Sequence, residues 1–263
     1  MTTVPVGVQL YSVRDEAKKD LAGTLKRVAD IGYTGIELLQ SFCEDVGSAD
    51  KMQAMLDDAG LACYGCHMKL SAFDAENFDH TIAFFGELNA KHLTISGVPL
   101  ETRNSREVLL KLAKTFSDLA DKLAPHSLDL GYHNHFEEFL PLEGTTETPW
   151  NFLFDHCSPN FMMQFDLGNA IRSGEELDLP GIIRRYPGRS KIVHLKPYKL
   201  NVDPNDPRAG YHRFPIGQDS VPWAEVFDAC ESVGGTEWYV VEHGNGFDDV
   251  ADCLNALKTM GKA

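Results

Sequence analysis

The sequence predicts an α/β chain folded as one closed (β/α)8 barrel, and three observations predict it. Short apolar runs alternate with amphipathic ones from end to end, the apolar runs number eight, and no glycine-rich phosphate loop follows the first of them. A chain of 263 residues also has the size of such a barrel, about 250 residues.

In chain order, the runs rich in β-branched and aromatic residues are VPVGVQL (4–10), YTGIELL (33–39), LACYGCH (61–67), KHLTIS (91–96), SLDLGYHN (127–134), FMMQFD (161–166), KIVHLK (191–196) and EWYVVEH (237–243). Each reads as a buried strand. The stretches near 16–30, 48–59, 77–89, 104–124, 147–157, 178–186, 221–233 and 248–260 read as helices. Several open on capping or turn residues, and several stop near glycine before the next strand, as in DIGYTG, DDAGLA and ESVGGTEW. An open doubly wound sheet would place G-x-G-x-x-G after its first strand, whereas YSVRDEAKKD stands there. With no Ser/Gly linker or shift in composition, residues 1–263 read as a single domain. The irregular stretch 197–219, after the seventh strand, is a candidate lid.

Composition narrows the function. A formal net charge of −15 repels polyanions, which argues against nucleic-acid binding and mildly against a heavily phosphorylated substrate. Six cysteines lack the spacing of a secreted disulfide scaffold and fit a reducing compartment. Cys63 and Cys66 form a lone C-x-x-C inside a strand, where positions three apart point to opposite faces, so a zinc knuckle is not expected. No export signal opens the chain and no apolar run could cross a bilayer, so a cytoplasmic protein without membrane contact is expected, with room left for a homo-oligomer.

In such a barrel the chemistry sits at the C-terminal ends of the strands. Strand five ends in His133, Asn134, His135, Glu137 and Glu138; strand six ends at Asp166; strand seven holds His194 and Lys196; strand eight ends at Glu242 and His243. One oxygen or imidazole from each would make a carboxylate-rich centre for Mn²⁺, Mg²⁺, Co²⁺ or Zn²⁺. Taken singly, Asp166 also reads as a helix cap and His194 as a buried core histidine. Glu242 is harder to place otherwise, because a carboxylate closing an apolar strand needs a partner. Gln9, Tyr11, Arg14, Glu37 and His67 on the first three strands, with His135 and Lys196, offer donors and acceptors for a sugar, and Tyr11, Phe136, Trp150 and Tyr198 offer an aromatic wall. His92, His126 and His156 are given no role.

The motifs VGVQLYSVRDE, GYTGIEL, YHNHFEEF, FDLGNAIRSGE, VHLKPY and EWYVVEH together resemble the xylose isomerase-like TIM-barrel superfamily of sugar phosphate isomerases and epimerases, over nearly the whole chain. That resemblance implies a divalent ion held by a strand-five carboxylate and by Asp166, His194 and Glu242. Strand five departs from the pattern, reading His133-Asn134-His135 where many relatives read Glu-Asn-His, so either His133 ligates or Glu138 folds back. The resemblance implies proton transfer next to a carbonyl of a small carbohydrate through a metal-stabilised enediolate, with His133, His135 or Glu242 as acid/base and Lys196 as electrophile or hydroxyl partner. A histidine on strand five also resembles relatives that cleave or hydrate 3-keto-glycosides, which makes a lyase or hydratase the second expectation. An endonuclease IV-like nuclease would need a basic face, and a non-catalytic sugar binder would hold no ion.

Overall fold

The computed structural model describes residues 4–103, 105–202, 205, 210, 214–244 and 246–263. All eight expected strands are present: β1 (Val6–Gln9), β2 (Gly35–Leu39), β3 (Ala62–Met68), β4 (His92–Ile95), β5 (Asp129–His133), β6 (Met162–Asp166), β7 (Ile192–Leu195) and β8 (Trp238–Val241). Each pairs in parallel with the next, and β1 pairs with β8 to close the barrel. Helices Leu21–Ile31, Ala49–Ala59, Phe78–Glu87, Arg106–Leu123, Pro149–His156, Leu179–Arg185, Trp223–Ala229 and Phe247–Thr259 occupy the expected intervals.

Local chemistry accounts for many of these boundaries. Asp20 accepts from Gly23 N and Ser48 from Lys51 N, each capping the helix that follows. Gly32 and Gly60 end the same helices at φ 114° and 73°, a region that glycine enters without a Cβ clash. The first expected helix is broken before Asp20, leaving a separate turn at Arg14–Ala17, because Asp20 adopts an extended cap. Two short helices not expected from sequence, Gln40–Val46 and Leu167–Arg172, start directly at the ends of β2 and β6.

Alternation along the strands sends one set of side chains toward the helices and the other toward the axis. The outward set, including Val8, Ile36, Leu38, Leu93, Ile95, Tyr132, Phe165, Val193 and Tyr239, merges with the helices into the main core. The inward set is separate, a plug of Tyr64, Met162, Ile192 and Val240 packed with Trp238. Glycine makes room for it: a Cβ on Gly35 would lie 2.7 Å from the Trp238 ring, and one on Gly7 would collide with Tyr64.

Tyr64 reaches the axis through a bulge, since Ile36 pairs with Cys63 but Glu37 pairs with Gly65. The extra residue overturns the expectation that Cys63 and Cys66 face opposite ways. Cys63 stands opposite Ile36 and Cys66 opposite Leu38, so both thiols enter the helix-facing core beside Cys43. Among the described residues no helix is long and apolar enough to cross a membrane.

Candidate active site

Beyond the plug, toward the C-terminal ends, the inward positions turn polar. Gln9, Glu37, His67, Thr94, His133, Gln164 and His194 follow one another around the barrel, and Asp166 closes β6 on the same face. Lys196 and Glu242 stand just past β7 and β8.

Glu37 lies at the centre of this layer. Its Oε2 accepts from Gln9 Nε2 at 2.6 Å and lies 2.8 Å from His194 Nε2, while its Oε1 accepts from Gln164 Nε2 at 2.5 Å. Gln164 Nε2 also donates to Thr94 Oγ1 at 3.1 Å, and Gln164 Oε1 faces His67 Nε2 at 2.6 Å and His133 Nδ1 at 3.0 Å. Every member is buried, and together they form a hydrogen-bonded floor.

Above that floor the other edges of the histidines meet carboxylates. His194 Nδ1 is 3.0 Å from Glu242 Oε2 and 3.9 Å from Asp166 Oδ2, and His133 Nε2 is 3.9 Å from the same Asp166 oxygen. Lys196 Nζ donates to Glu242 Oε1 at 2.7 Å and lies 3.5 Å from Asp166 Oδ2. Asp166 satisfies both readings of its sequence context. Oδ1 accepts from Asn169 N at 2.7 Å and caps the Leu167–Arg172 helix, while Oδ2 is buried and accepts no hydrogen bond. Asn134 fixes the carboxylate's backbone, accepting from Asp166 N at 2.8 Å and donating to Asp166 O at 2.9 Å.

The electrostatics follow from burial and from which partners are charged. Burial opposes a charge on His194, but Glu37 and Glu242 outweigh it and push the imidazole up to about 10. Burial also raises Asp166 to about 6, against the pull of Lys196, whereas Lys196 and His194 hold Glu242 well below the usual carboxylate range despite burial. Burial, with the neighbouring histidines, drives His133 well below its ordinary value, and burial beside Lys196 brings His135 to about 4. Both are neutral imidazoles near pH 7, able to offer a lone pair.

His133, Asp166, His194 and Glu242 each present one ligand atom, all within 4.8 Å of one another. This mixed imidazole and carboxylate set fits a divalent ion. The buried Asp166 oxygen without a hydrogen bond, and the His194 nitrogen turned toward a carboxylate, are the atoms such an ion would satisfy. The group sits in the floor of a cleft of about 690 Å³ lined by Tyr11, His67, His133, His135, Lys196 and Glu242, among others.

Several residues singled out from sequence lie elsewhere. Glu138, the alternative strand-five ligand, is turned away from the group: Arg103 Nε lies 2.8 Å from its carboxylate, and Tyr132 Oη and His135 N both donate to it, at 2.5 and 2.8 Å. A buried arginine captured it, and strand five reaches the centre through His133 instead. Gln9 and Glu37, read as substrate contacts, are completely buried beneath the cleft, so they support the histidines rather than face a ligand. Trp150 is packed among Phe139, Phe154 and Phe165 and forms no aromatic wall. Tyr11 is 48% exposed at the mouth with Arg14 stacked on its ring at 4.0 Å, and Arg172 similarly covers Phe136 at 4.3 Å. Of the candidate lid at 197–219, residues 203–204, 206–209 and 211–213 lie outside the described residues; the rest is neither helix nor strand.

Gln164 and Thr94 were not singled out from sequence. The signal for Gln164 was available: it is the polar residue two positions before Asp166 in an apolar strand, hence on the same face.

A family model described as a xylose isomerase-like TIM barrel matches residues 25–260. No curated protein matches the chain in sequence. Among solved structures it is similar to a sugar phosphate isomerase/epimerase from Parabacteroides distasonis (TM-score 0.77, 21% identity, covering 98% of this chain and 94% of that one). It is similar to a xylose isomerase-like TIM barrel protein from Mycobacterium smegmatis in complex with magnesium (0.67, 17%, 99% and 97%) and to an L-ribulose 3-epimerase (0.63, 15%, 100% and 95%). At these identities the likeness speaks for the fold.

Proposed function

We propose that this chain, which belongs to the xylose isomerase-like TIM-barrel family, is a divalent-metal-dependent isomerase or epimerase of a small carbohydrate that moves a proton next to a carbonyl. The observation that carries the reading is the convergence of Asp166 Oδ2, His194 Nδ1, Glu242 and His133 Nε2 in the floor of an open cleft at the catalytic end of the barrel.

His133, Asp166, His194 and Glu242 would hold the ion, which when bound supplies Lewis-acid polarisation of a carbonyl and stabilises the negative charge that builds on its oxygen. The chain's own groups do the rest. Glu242, kept ionised by Lys196, accepts the proton from the carbon beside the carbonyl. His133 directs its Nε2 at the ion site, which leaves His135 in the cleft wall as the second acid/base. Lys196, between Asp166 and Glu242, donates to the oxygen that gains charge. Return of the proton at the neighbouring carbon gives an isomer, and return to the opposite face of the same carbon gives an epimer.

A lyase or hydratase acting on 3-keto-glycosides is the second reading, favoured by one observation: with His133 at the ion site, the group in the cleft wall opposite Glu242 is a neutral imidazole, His135, so the two faces of a substrate meet unlike groups. Incubation of Mn²⁺-loaded protein with a panel of ketoses in D₂O tests both. Deuterium at the carbon beside the carbonyl supports isomerisation; release of an aglycone or a new enone absorbance transfers the assignment to the lyase. Neither signal across a broad panel refutes both.

A further inference from the structure

The histidine that replaces the strand-five carboxylate can bind an ion through Nε2 only if its proton sits on Nδ1. An imidazole in water samples both tautomers and prefers the opposite one slightly, so the protein has to impose the choice. The hydrogen bonds around Gln164 impose it, and they can be followed from a donor whose identity is certain.

The Tyr11 backbone N–H donates to Gln9 Oε1 at 3.2 Å, which turns the Gln9 amide so that its Nε2 donates to Glu37 Oε2 at 2.6 Å. Glu37 then presents its other oxygen, Oε1, to the Gln164 side chain at 2.5 Å, a contact that an amide N–H₂ makes and an amide oxygen does not. Thr94 Oγ1, a hydroxyl that can serve either orientation, accepts from the same nitrogen from β4 at 3.1 Å. With its nitrogen committed to Glu37, Gln164 has only Oε1 for the other side, and an oxygen accepts. The two histidine nitrogens that face it, His67 Nε2 at 2.6 Å and His133 Nδ1 at 3.0 Å, therefore donate, one to each lone pair.

We propose that Gln164 is a positioning residue that locks His133 as the Nδ1–H tautomer and so aims the Nε2 lone pair at Asp166 and the ion site. The inference rests on the metal-binding reading above for its consequence, but not for the tautomer itself. It also assigns the roles of the two histidines: His67 Nε2 carries a proton and binds no ion through that atom, whereas His133 Nε2, 3.9 Å from Asp166 Oδ2, is free to do so. Partners that orient a metal-binding histidine from behind change affinity by about 10–100-fold when removed.

The test uses the full chain, metal-free and then titrated with Zn²⁺ or Mn²⁺. Two-bond ¹H–¹⁵N correlation of the histidine rings, with the His133 signals assigned by their loss in His133→Gln, reads the tautomer directly in the wild type. The expected result is Nδ1–H at His133; an Nε2–H ring there overturns the proposal without any variant having to fold. Gln164→Met keeps the length of the side chain and removes the amide. It is expected to free the His133 tautomer and weaken ion binding, measured calorimetrically, by about 10–100-fold, with the barrel still folded by circular dichroism. Unchanged tautomer and affinity in that variant also overturn the proposal. A wild type with Nδ1–H at His133 that binds neither ion refutes the metal reading and leaves the positioning role standing.

Discussion

The barrel holds a histidine between two carboxylates at each of its ends, and the two sets differ in what surrounds them. At the N-terminal end His92 Nδ1 lies 3.0 Å from Asp129 and Nε2 3.3 Å from Glu237. At the C-terminal end His194 lies 3.0 Å from Glu242 and 2.8 Å from Glu37. Below, each carboxylate has its own lysine, Lys191 on Asp129 at 2.8 Å and Lys91 on Glu237 at 2.7 Å. Above, a third carboxylate, Asp166, joins the group, and Lys196 serves it and Glu242 together. In the lower motif each carboxylate is matched by its own lysine, whereas in the upper one two carboxylates share a single lysine. On the reading proposed above, the added carboxylate, more than residue type, would separate a cation site from a structural ion network.

Asp166→Asn should break the contrast most sharply. Asn still caps the Leu167–Arg172 helix, but the buried charge is gone, so elemental analysis should find the divalent ion lost and the deuterium exchange abolished, with the fold intact. Divalent ions should stabilise the wild type, by about 4 kcal/mol at a thousandfold excess over Kd; the rise in Tm should vanish in Asp166→Asn and persist in His92→Ala. His92→Ala should cost about 1–3 kcal/mol in urea unfolding, because the two carboxylates it bridges lose a buried donor. Its ion affinity should equal that of the wild type; a fall would show that the ends are coupled.

The smallest effect concerns pH at the lower end. His92 and Lys191, against burial, hold Asp129 at about 2 rather than 3.8, and His92 and Lys91 hold Glu237 at about 2 rather than 4.5. Stability from both is full above the ordinary carboxylate values and lost as pH falls toward 2, with Asp129 worth at most about 2 kcal/mol. His92 behaves oppositely: against burial its two carboxylates raise it above 6.5, so its share is full below that value and lost as pH climbs through the raised one. Urea midpoints from pH 2 to 9 should show a shoulder on each side that His92→Ala flattens.

Much of this was legible along the chain. Eight apolar runs became eight strands, each beginning one or two residues inside its run, because period-2 burial is written locally. Asp166, His194 and Glu242 stood at strand ends for the same reason. The place of Glu138 is not legible in the sequence because its partner, Arg103, lies on a distant turn, and nothing near YHNHFEEF announces it. Gln9 and Glu37 looked like cleft residues because a strand's end does not reveal how deep each position sits. Cys63 and Cys66 share a face because of a single inserted residue, Tyr64, whose bulge becomes visible only in the pairing of β2 with β3.

By itself the sequence determined the architecture and which polar side chains stand at the strand ends, since alternation, helix caps and polar strand ends are properties of neighbouring residues. Closure of the barrel decided the rest: which strand-five group reaches the centre, which carboxylate an arginine takes, and which way Gln164 turns. Those outcomes depend on hydrogen bonds between residues 28 to 157 positions apart, such as Gln9 with Glu37 and Glu37 with His194, and bonds of that range exist only once the chain has closed on itself.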